Sequence, residues 1–166
     1  MTGHLRISPL VRSALFVSDL DVSAKFYADV LSLTRVYWEG ELAGESLERL
    51  LGAAGGTRCR AKILQSGDVT FGMIGLFELT DPAPERVRKP AAGAHIGETC
   101  QVFYCSDLDE IMSRLNAGGY TVVCPPIPLV HEGRVKQREM TCADPDGIMI
   151  NLIEWDPDAE ARPELS

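Results

Sequence analysis

The chain has no apolar run approaching the roughly 18 residues of a membrane-crossing helix. Its opening residues, Met1 to Pro9, lack the long apolar stretch of a secretory signal peptide. Cationic excess is missing too: 16 Lys and Arg stand against 24 Asp and Glu, a formal net charge of -8. Nucleic acid, whose phosphates demand a basic patch, is therefore not an expected partner. The acidic balance serves solubility, or mildly favours a cationic ligand. The five cysteines are odd in number and contain no Cys-x-x-Cys spacing, so they read as reduced thiols and not as a disulfide framework. These absences predict a cytoplasmic protein that engages neither a membrane nor nucleic acid.

What is present begins with a phrase that occurs twice. Val17-Ser18-Asp19-Leu20-Asp21 returns as Cys105-Ser106-Asp107-Leu108-Asp109. Each copy follows a strand-like run and opens a helix-like one, which points to two copies of one supersecondary unit. At 166 residues and 45% hydrophobic content the chain can build one compact domain, or two half-size modules sharing a core.

In the first copy, a strand over 11–17 leads into a helix with the apolar stripe Leu20, Ala24, Tyr27 and Leu31. Ser18 and Asp21 stand at capping-box spacing, with Asp in place of the usual Glu or Gln. A second strand is predicted over 35–42 and a short helix over 46–51. A hairpin follows over 58–65 and 70–78, joined at Ser66-Gly67-Asp68. The segment 79–99, with three prolines, reads as a linker.

The second copy restarts with a strand over 100–105. A helix follows on Leu108, Ile111, Met112 and Leu115, closed by Gly118-Gly119. A strand over 120–124 then runs into a loop at Pro125-Pro126 that carries His131. A last hairpin over 135–141 and 148–155 turns at Asp144-Pro145-Asp146-Gly147, to which no chemistry is assigned. The expected organisation is an N-terminal tail (1–9), a first βαβββ module (10–78), the linker (79–99), a second βαβββ module (100–156) and a polar tail (157–166). The fold class is α+β, with curved mixed sheets around a concave pocket and helices outside.

The run from Ala14 to Leu31 and the run from Asp144 to Glu154 resemble the opening strand and helix, and the closing hairpin, of the vicinal oxygen chelate superfamily. This is the group of glyoxalases, bleomycin-resistance proteins and extradiol dioxygenases. The resemblance spans roughly residues 10 to 156 and is specific for fold but not for function, because the superfamily hosts many activities. Its enzymes usually hold a divalent metal through His, Glu and sometimes Gln side chains at equivalent places in the two modules. Those places fall here on Arg12, Gly75, Cys100 and Asn151. A guanidinium has no lone pair to donate, glycine has no side chain, an amide oxygen is a weak ligand, and one thiol makes no site. His95, Glu78 and Glu154 stand at odd offsets from these places, on the other strand face. The resemblance therefore implies a member with no family-type metal centre, and no cofactor is expected.

If the strands run as in the family, Arg12, Ala14, Phe16, Cys100, Val102 and Tyr104 line a cup. Phe71, Met73, Gly75 and Phe77 join them from the hairpin, and Met149, Asn151 and Ile153 from the last strand. Trp38 and Tyr37 extend the wall, and Arg138 is a further ligand-binding candidate. Such a lining suits a partly apolar small molecule with a carboxylate or carbonyl for Arg12 to grip; alternatively, Arg12 pairs with an internal acid. Cys100, His131 and Glu39 are the catalytic candidates: a nucleophile if Arg12 lowers its pKa, and two proton carriers. The expected function is small-molecule binding of the bleomycin-resistance type, in a homodimer. A metal-free isomerase or lyase on the same scaffold is an alternative, as is a metal-dependent lyase or dioxygenase if the ligand positions are displaced.

Overall fold

The computed structural model describes residues 7–87, 94–131 and 134–154, the side chains of 131 and 134–136 excepted. The elements run β1 (Arg12–Phe16), α1 (Leu20–Leu31), β2 (Arg35–Ala43), α2 (Glu45–Leu51), β3 (Arg58–Gln65) and β4 (Met73–Thr80). They continue as β5 (Cys100–Cys105), α3 (Leu108–Gly118), β6 (Thr121–His131), β7 (Arg134–Ala143) and β8 (Met149–Glu154). This is β-α-β-β-β twice, with α2 inserted in the first copy. Each copy makes a curved four-stranded mixed sheet, ordered β1-β4-β3-β2 and β5-β8-β7-β6. The first strand pairs in parallel with the last, and the other pairings are antiparallel.

The chain divides into two compact units. One runs to Ala24 and resumes over Leu33–Glu85; the other takes Lys25–Ser32 and the chain from Arg86 onward. The second half of α1 thus belongs with the second sheet. There Phe26 stacks edge-on against Tyr120 at 4.9 Å, and the Tyr27 hydroxyl donates to Asp144 Oδ2 at 3.2 Å. Burial in this contact pushes the Asp144 carboxyl up from its usual range, although the backbone N–H groups of Ile148 and Asp146 and the Tyr27 hydroxyl oppose the shift.

In the second sheet the strand period of two separates the faces cleanly. Met140, Cys142, Ile150 and Leu152 are buried on one face, as are Leu108, Ile111 and Leu115 of α3. Each full leucine burial is worth about 1.5–3 kcal/mol. On the other face Val102 is 59% exposed and Tyr104 41%.

The repeated phrase sets both helix starts. Asp19 Oδ1 accepts the N–H groups of Asp21 and Val22 at 3.0 and 2.9 Å. Asp107 Oδ1 does the same for Asp109 and Glu110, both at 2.9 Å. The cap is therefore Asp19, not Ser18: a carboxylate satisfies orphan N–H groups and also favours the positive end of the helix. The second aspartate of each phrase is held by an arginine of the third strand. Arg60 bonds Asp21 at 3.0 Å and Glu78 at 3.1 Å; Arg138 bonds Asp109 at 2.7 Å and Glu154 at 3.3 Å.

Two expectations about strands are corrected. The segment 70–72 is not yet strand: Gly72 N–H donates to Leu10 O and Met73 N–H to Val11 O, at 2.8 and 3.1 Å, and only there does the ladder with β1 begin. Pro125 and Pro126 do not end a strand. β6 continues through them to residue 131, with a register shift between Cys124 and Ile127. It lies at the edge of its sheet, and the register shift takes both prolines out of the pairing with β7, so their missing N–H groups are tolerated there. Trp155, the 157–166 tail and His4 lie outside the described residues.

Candidate functional site

Each sheet turns one face away from its capped helix, and these two open faces carry the candidate chemistry. In the first unit the register sets Arg12 beside Met73, Ala14 beside Gly75 and Phe16 beside Phe77. Ile63 and Trp38 continue the Gly75 row. Two glycines clear this face. A Cβ at Gly75 would stand 2.8 Å from the Phe77 ring and 3.4 Å from Arg12 Cδ, so both side chains lie across the bare backbone. At Gly40 a Cβ would stand 2.8 Å from the Trp38 indole, which therefore lies over the bare backbone of β2. Phe16 and Phe77 meet at 6.3 Å in a tilted pair. Cys59, Ala61 and Leu79 are sealed beneath Leu42, Leu47 and Phe77, while Phe16 stays 49% and Trp38 37% exposed.

Arg12 is exposed at this aromatic edge. Among the arginines whose side chains are described, it alone has no ion pair or hydrogen bond; Arg35, Arg49, Arg58, Arg60, Arg86, Arg114 and Arg138 each hold a carboxylate.

In the second unit the register sets Cys100 beside Met149, Val102 beside Asn151 and Tyr104 beside Ile153. Thr141 and Glu139 of β7 extend the rows of Asn151 and Ile153. Glu139 is half-buried and accepts from Gln137 Nε2 at 2.6 Å and Asn151 Nδ2 at 3.2 Å. Asn151 Nδ2 also reaches Met140 O at 3.3 Å and Thr141 Oγ1 at 3.4 Å.

The remaining sequence candidates scatter. Arg138 is turned to the helix side by Asp109 and Glu154, away from the face of its neighbour Glu139. Glu39 pairs with Lys62 at 3.2 Å, on the face opposite Trp38. Phe71 is exposed in the loop before β4. The backbone of residue 131 ends β6, and its side chain lies outside the described residues. Cys100 is exposed as a residue, yet burial of its thiol pushes it up from its ordinary range, against a weaker opposing bond from the Asn151 backbone. It is then a neutral thiol at pH 7, the weaker nucleophile. Burial pushes Cys105 and Cys142 up to about 11, and all five cysteines are free thiols. Glu139 is the group the sequence reading passed over. Its only linear signal is strand alternation with Arg138, which does not reveal which of the two faces the helix.

The resemblance points to Arg12 and Gly75 of the first unit and Cys100 and Asn151 of the second as the metal-ligand places, and neither pair brings a His or Glu side chain. At those places the chain offers a cation, no side chain, a thiol, and an amide already bonded to Glu139. Among the described residues no three His, Cys, Asp or Glu side chains gather closely enough to hold a metal ion. A surface depression lined by Glu45, Ser46, Arg49 and Leu50 has no aromatic or buried polar group. No described helix is long and apolar enough to cross a membrane.

Known structures share this architecture. A glyoxalase family protein from Bacillus cereus superposes with a TM-score of 0.76 at 21% identity, covering 93% of this chain and 97% of that one. A glyoxylase/bleomycin resistance protein/dioxygenase domain from Frankia sp. EAN1pec gives 0.59 at 18% identity, covering 91% and 100%. A glyoxalase I mutant from Zea mays gives 0.56 at 16% identity, covering 89% of this chain and 45% of that one. At such identities the likeness is one of fold. No curated protein sequence matches the chain. Residues 6–152 match the family described as Glyoxalase/Bleomycin resistance protein/Dioxygenase superfamily, and the chain belongs to it.

Proposed function

We propose that this protein binds a partly apolar small molecule bearing a carboxylate, without a family-type metal centre. The observation that carries the reading is the unpaired Arg12 guanidinium on the open aromatic face of the first sheet. A folded chain that gives every other arginine of described side chain a carboxylate leaves this one at an exposed edge. A guanidinium fork matches a carboxylate bidentately. Phe77, whose ring shares the bare backbone of Gly75 with Arg12, and its neighbour Phe16 supply flat apolar area near it. Trp38 lies on the same face at the far edge of the sheet, a combination that suits a planar acid.

Calorimetric titration with 3-phenylpropionate tests this directly. Saturable one-to-one binding is expected, weakened about ten- to hundredfold by Arg12→Gln, the worth of hydrogen bonds to a charged group. Equal affinity of both proteins would overturn the reading. Purified protein is expected to carry no stoichiometric divalent metal and to show no thermal shift with added manganese, zinc or nickel. Bound metal would restore a lyase or dioxygenase. Cytoplasmic residence and a homodimeric state belong to the same proposal, the latter checked by sedimentation.

A further inference from the structure

We infer that the open face of the second sheet is a recognition site for an organic ammonium group, centred on Glu139. The inference rests on this sheet alone and stands whether or not Arg12 binds a carboxylate. Glu139 is half-buried in the row of Ile153 and Tyr104. Among the described residues it has no cationic partner; it is held only by the neutral amides of Gln137 and Asn151, at 2.6 and 3.2 Å.

A carboxylate can only accept, so it fixes both amides with their N–H groups toward it. That commits the Asn151 donors and one N–H of Gln137, and neither amide oxygen has a donor among the described residues. The cluster therefore offers a charged acceptor with spare lone pairs, and two neutral acceptors, on a face that also carries Val102, Tyr104, Met149 and Ile153, with Cys100 and Thr141 in the same rows. The occupant that complements it has several N–H donors, a positive charge and an apolar body: a primary or secondary ammonium on an aryl or alkyl frame. The neighbouring Tyr104 ring adds a surface for such a cation. The matching place in the first sheet, beside Phe77 as Glu139 is beside Ile153, is Ala61. The acceptor cluster is thus an addition to the repeated fold, not part of its framework.

The test is an NMR titration with 2-phenylethylammonium, reading the side-chain amide signals of Asn151 and Gln137, with 2-phenylethanol as the uncharged probe. Saturable shifts of those signals with the ammonium are expected, with the alcohol at least about tenfold weaker, as for loss of a charged hydrogen bond. Glu139→Gln should weaken ammonium binding by a similar factor. Amide signals that do not move, or that move equally with the alcohol, would overturn the inference without recourse to any variant. Unchanged ammonium affinity in a folded Glu139→Gln protein would do so too.

Discussion

The two sheets are alike on one side and unlike on the other. Toward the helix each has an aspartate cap, a second aspartate, and an arginine that ties that aspartate to a glutamate of the last strand. On the open side the first sheet presents a free guanidinium among aromatic rings, and the second a carboxylate held by two amides. The repeated half of each sheet positions backbone, and the half that diverges carries the groups a ligand would meet. Framework and candidate recognition groups are thus separated by the strand period of two.

The largest test of that separation is packing. Met140→Ala, on the helix side of β7 and 1% exposed, should cost about 2–5 kcal/mol in denaturant unfolding. Val102→Ala, on the open side of the same sheet, should stay within about 0.5 kcal/mol. Equal losses would erase the distinction between faces. The loss of 3-phenylpropionate affinity in Arg12→Gln comes next, about 1.5–3 kcal/mol, with stability unchanged.

Smaller again are the caps. Asp19→Ala and Asp107→Ala should each lose about 0.5–2 kcal/mol, and similar amounts; a large inequality would mean that the two phrases are not doing the same job. The smallest effects are in pH dependence, where two aspartates act in opposite directions. Asp109 is held below its ordinary value by its bond to Arg138, so its contribution is present above the unfolded-state value and is lost as pH falls through the lowered folded value. Asp144 is raised by burial, so its contribution is present below the unfolded-state value and is lost as pH rises through the raised one. The stability advantage of wild type over Asp144→Asn should therefore grow as the solution is acidified through the carboxylate range, while that over Asp109→Asn shrinks.

Much of the framework was legible because it is written in local periodicity. The Leu108, Ile111, Leu115 stripe and the paired Asp-Leu-Asp phrases mark helix and cap by short-range spacing. Arg60, Glu78 and Asp21 meet only after three separate elements are brought together, so no window of sequence announces their bond. Pro125 and Pro126 read as a break because their cost depends on whether the strand is an edge, a property of the sheet order. Arg12, Phe16 and Trp38 could be placed on one face by alternation and resemblance. Glu139 could not be preferred to Arg138 until the register showed which of them the helix claims.

The most direct measurement follows the Arg12 side-chain Nε–H signal by NMR as 3-phenylpropionate is added, with the paired guanidinia of Arg60 and Arg138 as internal references. The account predicts a saturable shift at Arg12, none of comparable size at the two paired arginines, and no response to 3-phenylpropanol. An Arg12 signal that stays fixed, or that moves only in step with Arg60 and Arg138, would contradict it.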